Sequence, residues 1–191
     1  MTSLSRTSRA AVLRGKVTTR EGSPLPGVRV TVLNHPEYGQ TLSRADGWFD
    51  LAANGGGYLT VSYDRPGYLP AQRQVEVPWR EYAILPDVAL VTLDPQSTAI
   101  DLTSSAPVQV ARGSVVADGD GTRRATLLFS QGTTATMLLP DNTTVPLTSL
   151  TVRATEYTVG ANGPKSMPAE LPPTSGYTYA VELSADEAIA A

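Results

Sequence analysis

Ser43-Arg44-Ala45-Asp46-Gly47-Trp48-Phe49-Asp50-Leu51 is the stretch on which the fold turns. Asp46-Gly47 places a residue able to take positive φ between two runs that read as strands, Thr41-Leu42-Ser43-Arg44 and Trp48-Phe49-Asp50-Leu51, so the spacing predicts a tight hairpin. Upstream, Ala11-Val12-Leu13-Arg14-Gly15-Lys16-Val17-Thr18 sets Leu13, Gly15 and Val17 on one side and Arg14, Lys16 and Thr18 on the other, which is the period of a half-buried strand. Between these stretches, Thr19-Arg20-Glu21-Gly22-Ser23-Pro24-Leu25-Pro26-Gly27 supplies turn residues, and Val28, Val30 and Val32 then alternate with Arg29 and Thr31. Downstream, 58–63, 72–77 and 87–93 are further strand candidates. About seven strands within roughly 80 residues is the density of a β-sandwich.

Composition agrees with an all-β chain. In 191 residues there are 16 glycines and 15 prolines, spread between short apolar runs, as turns between strands require. Hydrophobic residues at 41% and charged residues at 17% provide a core to bury. The net charge of −3 gives no global positive field for nucleic acid or anionic lipid, so neither partner is expected. No apolar run approaches the ~18 residues of a membrane span, and 1–11 lacks the apolar core of a signal peptide. Any export signal is therefore expected outside these 191 residues. Without cysteine, the chain has no disulfide, thiol nucleophile or thiolate metal site.

Leu13-Arg14-Gly15-Lys16-Val17, Pro24-Leu25-Pro26-Gly27-Val28-Arg29-Val30 and Ser43 to Leu51 stand in an order that resembles the carboxypeptidase regulatory-like domain, a transthyretin-like β-sandwich, over 11–93. Leu33-Asn34-His35-Pro36-Glu37-Tyr38-Gly39-Gln40-Thr41, Gly55-Gly56-Gly57, Asp64-Arg65-Pro66-Gly67-Tyr68-Leu69-Pro70 and Pro78-Trp79 sharpen the likeness. They are similar to the transthyretin-like module of teneurins and of bacterial proteins with tyrosine-aspartate (YD or Rhs) repeats. That resemblance implies a neighbouring fibronectin-like plug, a β-propeller and a YD-repeat shell in one large polypeptide, at the cell surface or outside the cell.

After Leu93-Asp94-Pro95-Gln96 the pattern restarts, with strand candidates at 108–110, 114–116, 125–129, 134–138, 150–157 and 177–183. In the last, Tyr177, Tyr179, Val181 and Leu183 oppose Thr178, Ala180, Glu182 and Ser184, giving one expected buried face. The expectation is a second antiparallel sandwich over 97–184, a flexible segment at 1–10 and a short helical or frayed tail at 185–191. Ser184 and Glu187 have the spacing of a capping box in that tail. The proline-rich stretch from Asn162 through Pro164, Met167, Pro172 and Pro173 looks like the plug-type region of YD-repeat proteins. The resemblance implies an embedded, partner-facing role for it.

Little in the sequence carries catalysis. His35 is the sole histidine and reads as a loop residue, there is no Walker loop or G-x-S-x-G elbow, and no cofactor is expected. Asp46, Asp50 and Asp64 would make a carboxylate cluster only if the fold gathered them; turn roles fit them better. Asp118-Gly119-Asp120-Gly121 lacks the downstream glutamate of a calcium loop and reads as a hairpin turn. Of the two lysines, Lys16 and Lys165, Lys16 falls on the solvent side of its strand, which argues against an isopeptide crosslink. Asn142-Thr143-Thr144 is a glycosylation sequon. The recognition candidates are aromatic: Trp48, Tyr58, Tyr38, Trp79 and Tyr68, flat amphipathic rings that suit a glycan, a surface protein or an adjacent domain.

Overall fold

The computed structural model describes residues 9–119, 121–157, 162–170, 172, 174 and 179–189. The chain divides into two compact units, Met1–Thr92 with Gly160–Thr178, and Leu93–Val159 with Tyr179–Ala191.

The first unit holds β1 (Ala10–Thr19), β2 (Arg29–Val32), β3 (Gln40–Leu42), β4 (Trp48–Asn54), β5 (Gly57–Asp64), β6 (Ala71–Val77), β7 (Tyr82–Ile84) and β8 (Val88–Leu90). They form two four-stranded sheets, one ordered β4-β1-β7 with β8 also on β1, the other β3-β2-β5-β6. The inward residues of both sheets make one core, including Leu13, Val17, Val30, Phe49, Val61 and Tyr63, all at or near zero exposure. The Phe49 and Tyr63 rings meet edge to face, their centroids 5.6 Å apart. A Cβ on Gly15 would sit 2.9 Å from the Phe49 ring, so glycine in β1 makes room for this aromatic centre.

The turn at Asp46-Gly47 forms, but it does not close a hairpin. Gly47 has φ +80, the Gly47 amide donates to the Arg44 carbonyl, and the Arg44 amide donates to Trp48 O at 2.8 Å. The strands on either side then part: β3 pairs with β2 and β4 with β1. The turn is thus a corner that carries the chain from one sheet to the other. Gly47 is locked there because its carbonyl accepts from the Val17 amide at 2.9 Å, and a Cβ would lie 2.4 Å from Val17 O. Ser43 pins the other side of the corner. Its hydroxyl donates to the Leu25 carbonyl at 2.7 Å and accepts from the Val28 amide at 2.9 Å, all buried.

Short β7 was not legible in the sequence, and it lies parallel to β1. Three residues carry too little alternation to register as a strand.

The second unit holds β9 (Thr98–Asp101), β10 (Val108–Arg112), β11 (Val116–Asp118), β12 (Gly121–Arg123), β13 (Thr126–Ser130), β14 (Ala135–Leu138), β15 (Thr144–Leu147), β16 (Ser149–Glu156) and β17 (Val181–Ala185). All its pairings are antiparallel: a three-stranded sheet β17-β16-β9 and the ribbons β10-β13, β11-β12 and β14-β15. Its core is small, Ile100, Ala111 and Val152 with Leu102, Leu127, Phe129 and Leu150 partly buried around them. The apolar side of β17, expected to be buried, is open at Tyr179 and Leu183; Tyr177 and Thr178 lie outside the described residues. β17 is the edge strand of a three-stranded sheet whose core is small, and among the described residues that core does not reach this face.

The expected capping box in the tail is replaced by a tertiary contact. β17 runs on to Ala185, the single turn α2 (Asp186–Ile189) follows, and the Glu187 carboxylate accepts from the Thr151 amide on β16 at 2.9 Å. Ser184 is already part of β17, and its hydroxyl is buried without a partner.

Candidate functional site

β1 and β4 pair in register, so their outward side chains form rows. Lys16 lies opposite Trp48, Arg14 opposite Asp50, and Val12 opposite Ala52; on the other side of β1, Ile84 continues the Arg14 row and Tyr82 the Val12 row. Arg14 Nε donates to Asp50 Oδ1 at 2.5 Å, and Arg44 Nη1 donates to Asp50 Oδ2 at 2.8 Å. The two guanidiniums hold the Asp50 carboxyl below the usual carboxylate range, Arg14 foremost. The Arg14 guanidinium also lies over the Tyr82 ring, 4.7 Å from its centroid. Asp46 accepts from the Trp48 amide at 3.0 Å, an Asx turn that fixes where the indole leaves the corner. Arg14, Arg44, Asp46 and Trp48 line an open recess of about 260 Å³.

The five aromatic candidates are not brought together. Trp48 is half-buried at the start of β4, and Tyr58 and Trp79 are 66% and 56% exposed near the β4–β5 turn, where Trp79 covers Gly56. The seven residues of β4 separate the two places by about 20 Å. Tyr38 packs on the core, stacked on His35 at 5.1 Å, while the His35 ring meets Glu37 Oε1 at 2.8 Å. Tyr68 is likewise partly buried against the core, with Arg65 over its ring. Nor is there a carboxylate cluster: Asp46 and Asp50 share Arg44, whereas Asp64 pairs with Arg29 on the other sheet at 2.6 Å. Among the described residues no group of three histidine, aspartate or glutamate side chains could hold a metal ion. No helix among the described residues is long and apolar enough to cross a membrane. Asn142 of the sequon sits exposed at the β14–β15 turn with φ +64.

The plug-type stretch lies on the first unit, although the sequence reading assigned it to the second module. A single turn, α1 (Gly163–Ser166), follows Asn162, whose side-chain amide donates to Arg20 O at 2.9 Å. Met167 is buried, Pro164 and Pro172 are exposed, and Pro173 is outside the described residues. The holding residue is Arg73 on β6, 3% exposed, which donates to Lys165 O at 2.8 Å and Met167 O at 3.0 Å. The Gln72 amide donates to Pro168 O at 2.7 Å. The sequence reading missed Arg73, yet a signal was there: it shares the inward phase of Val75 and Val77, where an unpaired charge would be costly.

In the second unit, Asp94 is buried and accepts from the Ser114 amide and hydroxyl and from the Gln96 amide. Arg123 is clasped by Asp118 and Glu156, and Arg153 by Asp186 at 2.6 and 2.8 Å. Arg123 thereby ties the β11–β12 hairpin to β16, and Arg153 ties β16 to α2, as structural ion pairs do.

Comparison with known proteins places the first unit. Teneurin-1 of Homo sapiens is 43% identical over 94 residues, 48% of this chain and 3% of that protein. Teneurin-m of Drosophila melanogaster is 44% identical over 96 residues, 50% of this chain and 4% of that protein. Teneurin-3 of Mus musculus is 38% identical over 96 residues, again 50% and 4%. The chain therefore spans only a few per cent of the length of these relatives. The sandwich with its Gly47 corner lies within residues 5–90, and those residues match the Teneurin TTR-like domain family.

Proposed function

We propose that this chain is a non-catalytic structural module of a large, exported YD/Rhs-repeat protein of teneurin type, in which its two β units scaffold or plug the repeat shell. The observation that carries this reading is the match of residues 5–90 to the Teneurin TTR-like domain family, in relatives of which so short a stretch is a few per cent. The side chains add two supports. Several charged groups of both units close on one another, Asp50 with Arg14 and Arg44, Arg123 with Asp118 and Glu156, and Arg153 with Asp186, and among the described residues none of these pairs sets a nucleophile against a base in a cleft. The second unit leaves Val108, Val110, Leu128, Leu138, Val145 and Leu183 exposed around a small core, as a surface made to be covered does.

The reading is tested by expressing the 191-residue chain and the remainder of its parent polypeptide separately and mixing them. Co-elution on size exclusion is expected, with the exposed valines and leucines of the second unit protected from solvent labelling in the complex. Failure of the two pieces to associate, or an open reading frame without downstream YD repeats, would overturn it.

A further inference from the structure

The recess beside Trp48 is open to solvent and lined by Arg14, Arg44, Asp46 and Trp48, charged groups around an aromatic ring. Arg14 and Arg44 converge on Asp50, and Arg44 Nε lies 3.9 Å from Asp46, so two cations and two carboxylates balance around it. Lys16 is the surplus charge. It stands directly across the ladder from Trp48 and enters no ion pair among the described residues. The recess itself combines an aromatic ring with a fixed array of donors and acceptors, and Lys16, across the ladder from Trp48 and not among the lining residues, stands beside it as one unpaired positive charge.

We propose that this recess binds one acidic pyranose unit of a glycan, a hexuronate, with the sugar ring on the Trp48 indole and its carboxylate paired with Lys16. The C–H face of a pyranose suits an indole, which contributes apolar area with few torsions to freeze. Each guanidinium has N–H donors beyond those spent on Asp50, and the Asp46 and Asp50 carboxylates have spare lone pairs, so ring hydroxyls meet both kinds of partner. At about 260 Å³ the recess is smaller than the ~300–1,000 Å³ of pockets for drug-sized ligands, which limits it to a single ring. One surplus positive charge matches one carboxylate. Its rim is open, so neighbouring sugars of the chain extend over the sheet.

The experiment titrates the full 191-residue chain with a glucuronate-terminated oligosaccharide and, separately, with the same oligosaccharide ending in glucose, following the indole N–H resonances of Trp48 and Trp79 by NMR. The expected result is a saturating shift of the Trp48 signal with the uronate, a weaker response to glucose, and no movement of Trp79. Lys16→Gln, on the outer face and away from the core, should weaken uronate binding about fivefold, as loss of one exposed ion pair does, and leave the glucose response unchanged. Trp48→Ala should abolish both. Absence of any Trp48 shift, equal affinity for the two sugars, or indifference to Lys16→Gln would overturn the proposal.

Discussion

The Arg73 guanidinium on β6 donates to the carbonyl oxygen of Met167, 94 residues further along the chain. With its bond to Lys165 O it fastens a one-turn segment from the far side of the second unit's sequence onto the first sandwich. A guanidinium suits this place because its planar fork reaches several carbonyls at once, which a single ammonium cannot. Arg73→Met should therefore loosen the segment without dissolving the sandwich. Lost or unsatisfied buried partners cost about 1–3 kcal/mol each. Hydrogen exchange at the Gln72 and Ser166 amides, which donate to Pro168 O and Asn162 O, should accelerate at least about tenfold while the amides paired between β1 and β4 keep their protection. Unchanged exchange at both amides would show that Arg73 does not hold the segment.

Gly47 and Gly27 make a matched pair, for both have positive φ, +80 and +74. A Cβ at Gly47 meets Val17 O at 2.4 Å, whereas one at Gly27 meets nothing within 4 Å. Gly27→Ala should cost only the backbone strain, about 1 kcal/mol. Gly47→Ala adds a clash with backbone at the sheet-to-sheet corner and should cost roughly 2–4 kcal/mol. Urea denaturation of the two variants side by side checks the difference; equal midpoints would contradict the reading of the corner.

The second unit should lose stability in acid, as the first should through Asp50. Hydrogen bonding and charge from Arg153 hold Asp186 below the ordinary carboxylate range, and the Thr151 amide does the same for Glu187. A carboxyl group depressed in the folded state contributes stability above its unfolded pKa, and that contribution is lost as pH falls through the folded value. Thermal unfolding monitored at second-unit residues should therefore weaken as pH drops through about 4 and below. Asp186→Asn should remove part of that pH dependence by lowering stability at pH 7 toward its acid value. The slope stays modest because the pair is partly solvated, with 21% and 36% side-chain exposure. An Asp186→Asn variant as acid-sensitive as the parent chain would rule this pair out.

Val110 faces Leu128 across the β10–β13 ladder, and both side chains are open to solvent, Leu128 at 69%. Replacing both with threonine should leave stability within about 1 kcal/mol, since neither gains from burial within the chain and threonine suits a strand. The same double substitution should lower binding of a hydrophobic dye and weaken association with the rest of the parent polypeptide. A loss of several kcal/mol would instead mean that this face is core.

Much of the first unit was legible because its strands bury one face each. Alternation through Leu13, Val17, Val28, Val30 and Val32 predicts inward residues that are all buried in the structure. The turn at Asp46-Gly47 was legible for the same local reason, since positive φ singles out its glycine. The candidate site was legible only in fragments: Trp48 could be named from its phase opposite Phe49, but Arg14, Lys16, Arg44 and Asp46 join it through strand pairing and the shape of the corner. In the second unit, alternation at Tyr179, Val181 and Leu183 suggested a buried face that the fold leaves open.

By itself, the sequence determined that this protein is β, where most of its strands and turns fall, and which side of each first-unit strand faces inward. These properties follow from φ preferences and from a two-residue period, both of which act within a few residues. Tertiary structure alone decided that β3 and β4 enter different sheets and that β7 lies parallel to β1. It also decided that Arg73 clasps a segment more than ninety residues away. Alternation specifies which side of a strand is buried and carries no information about which strand lies beside it, so these choices depend on shared burial between residues far apart in the chain.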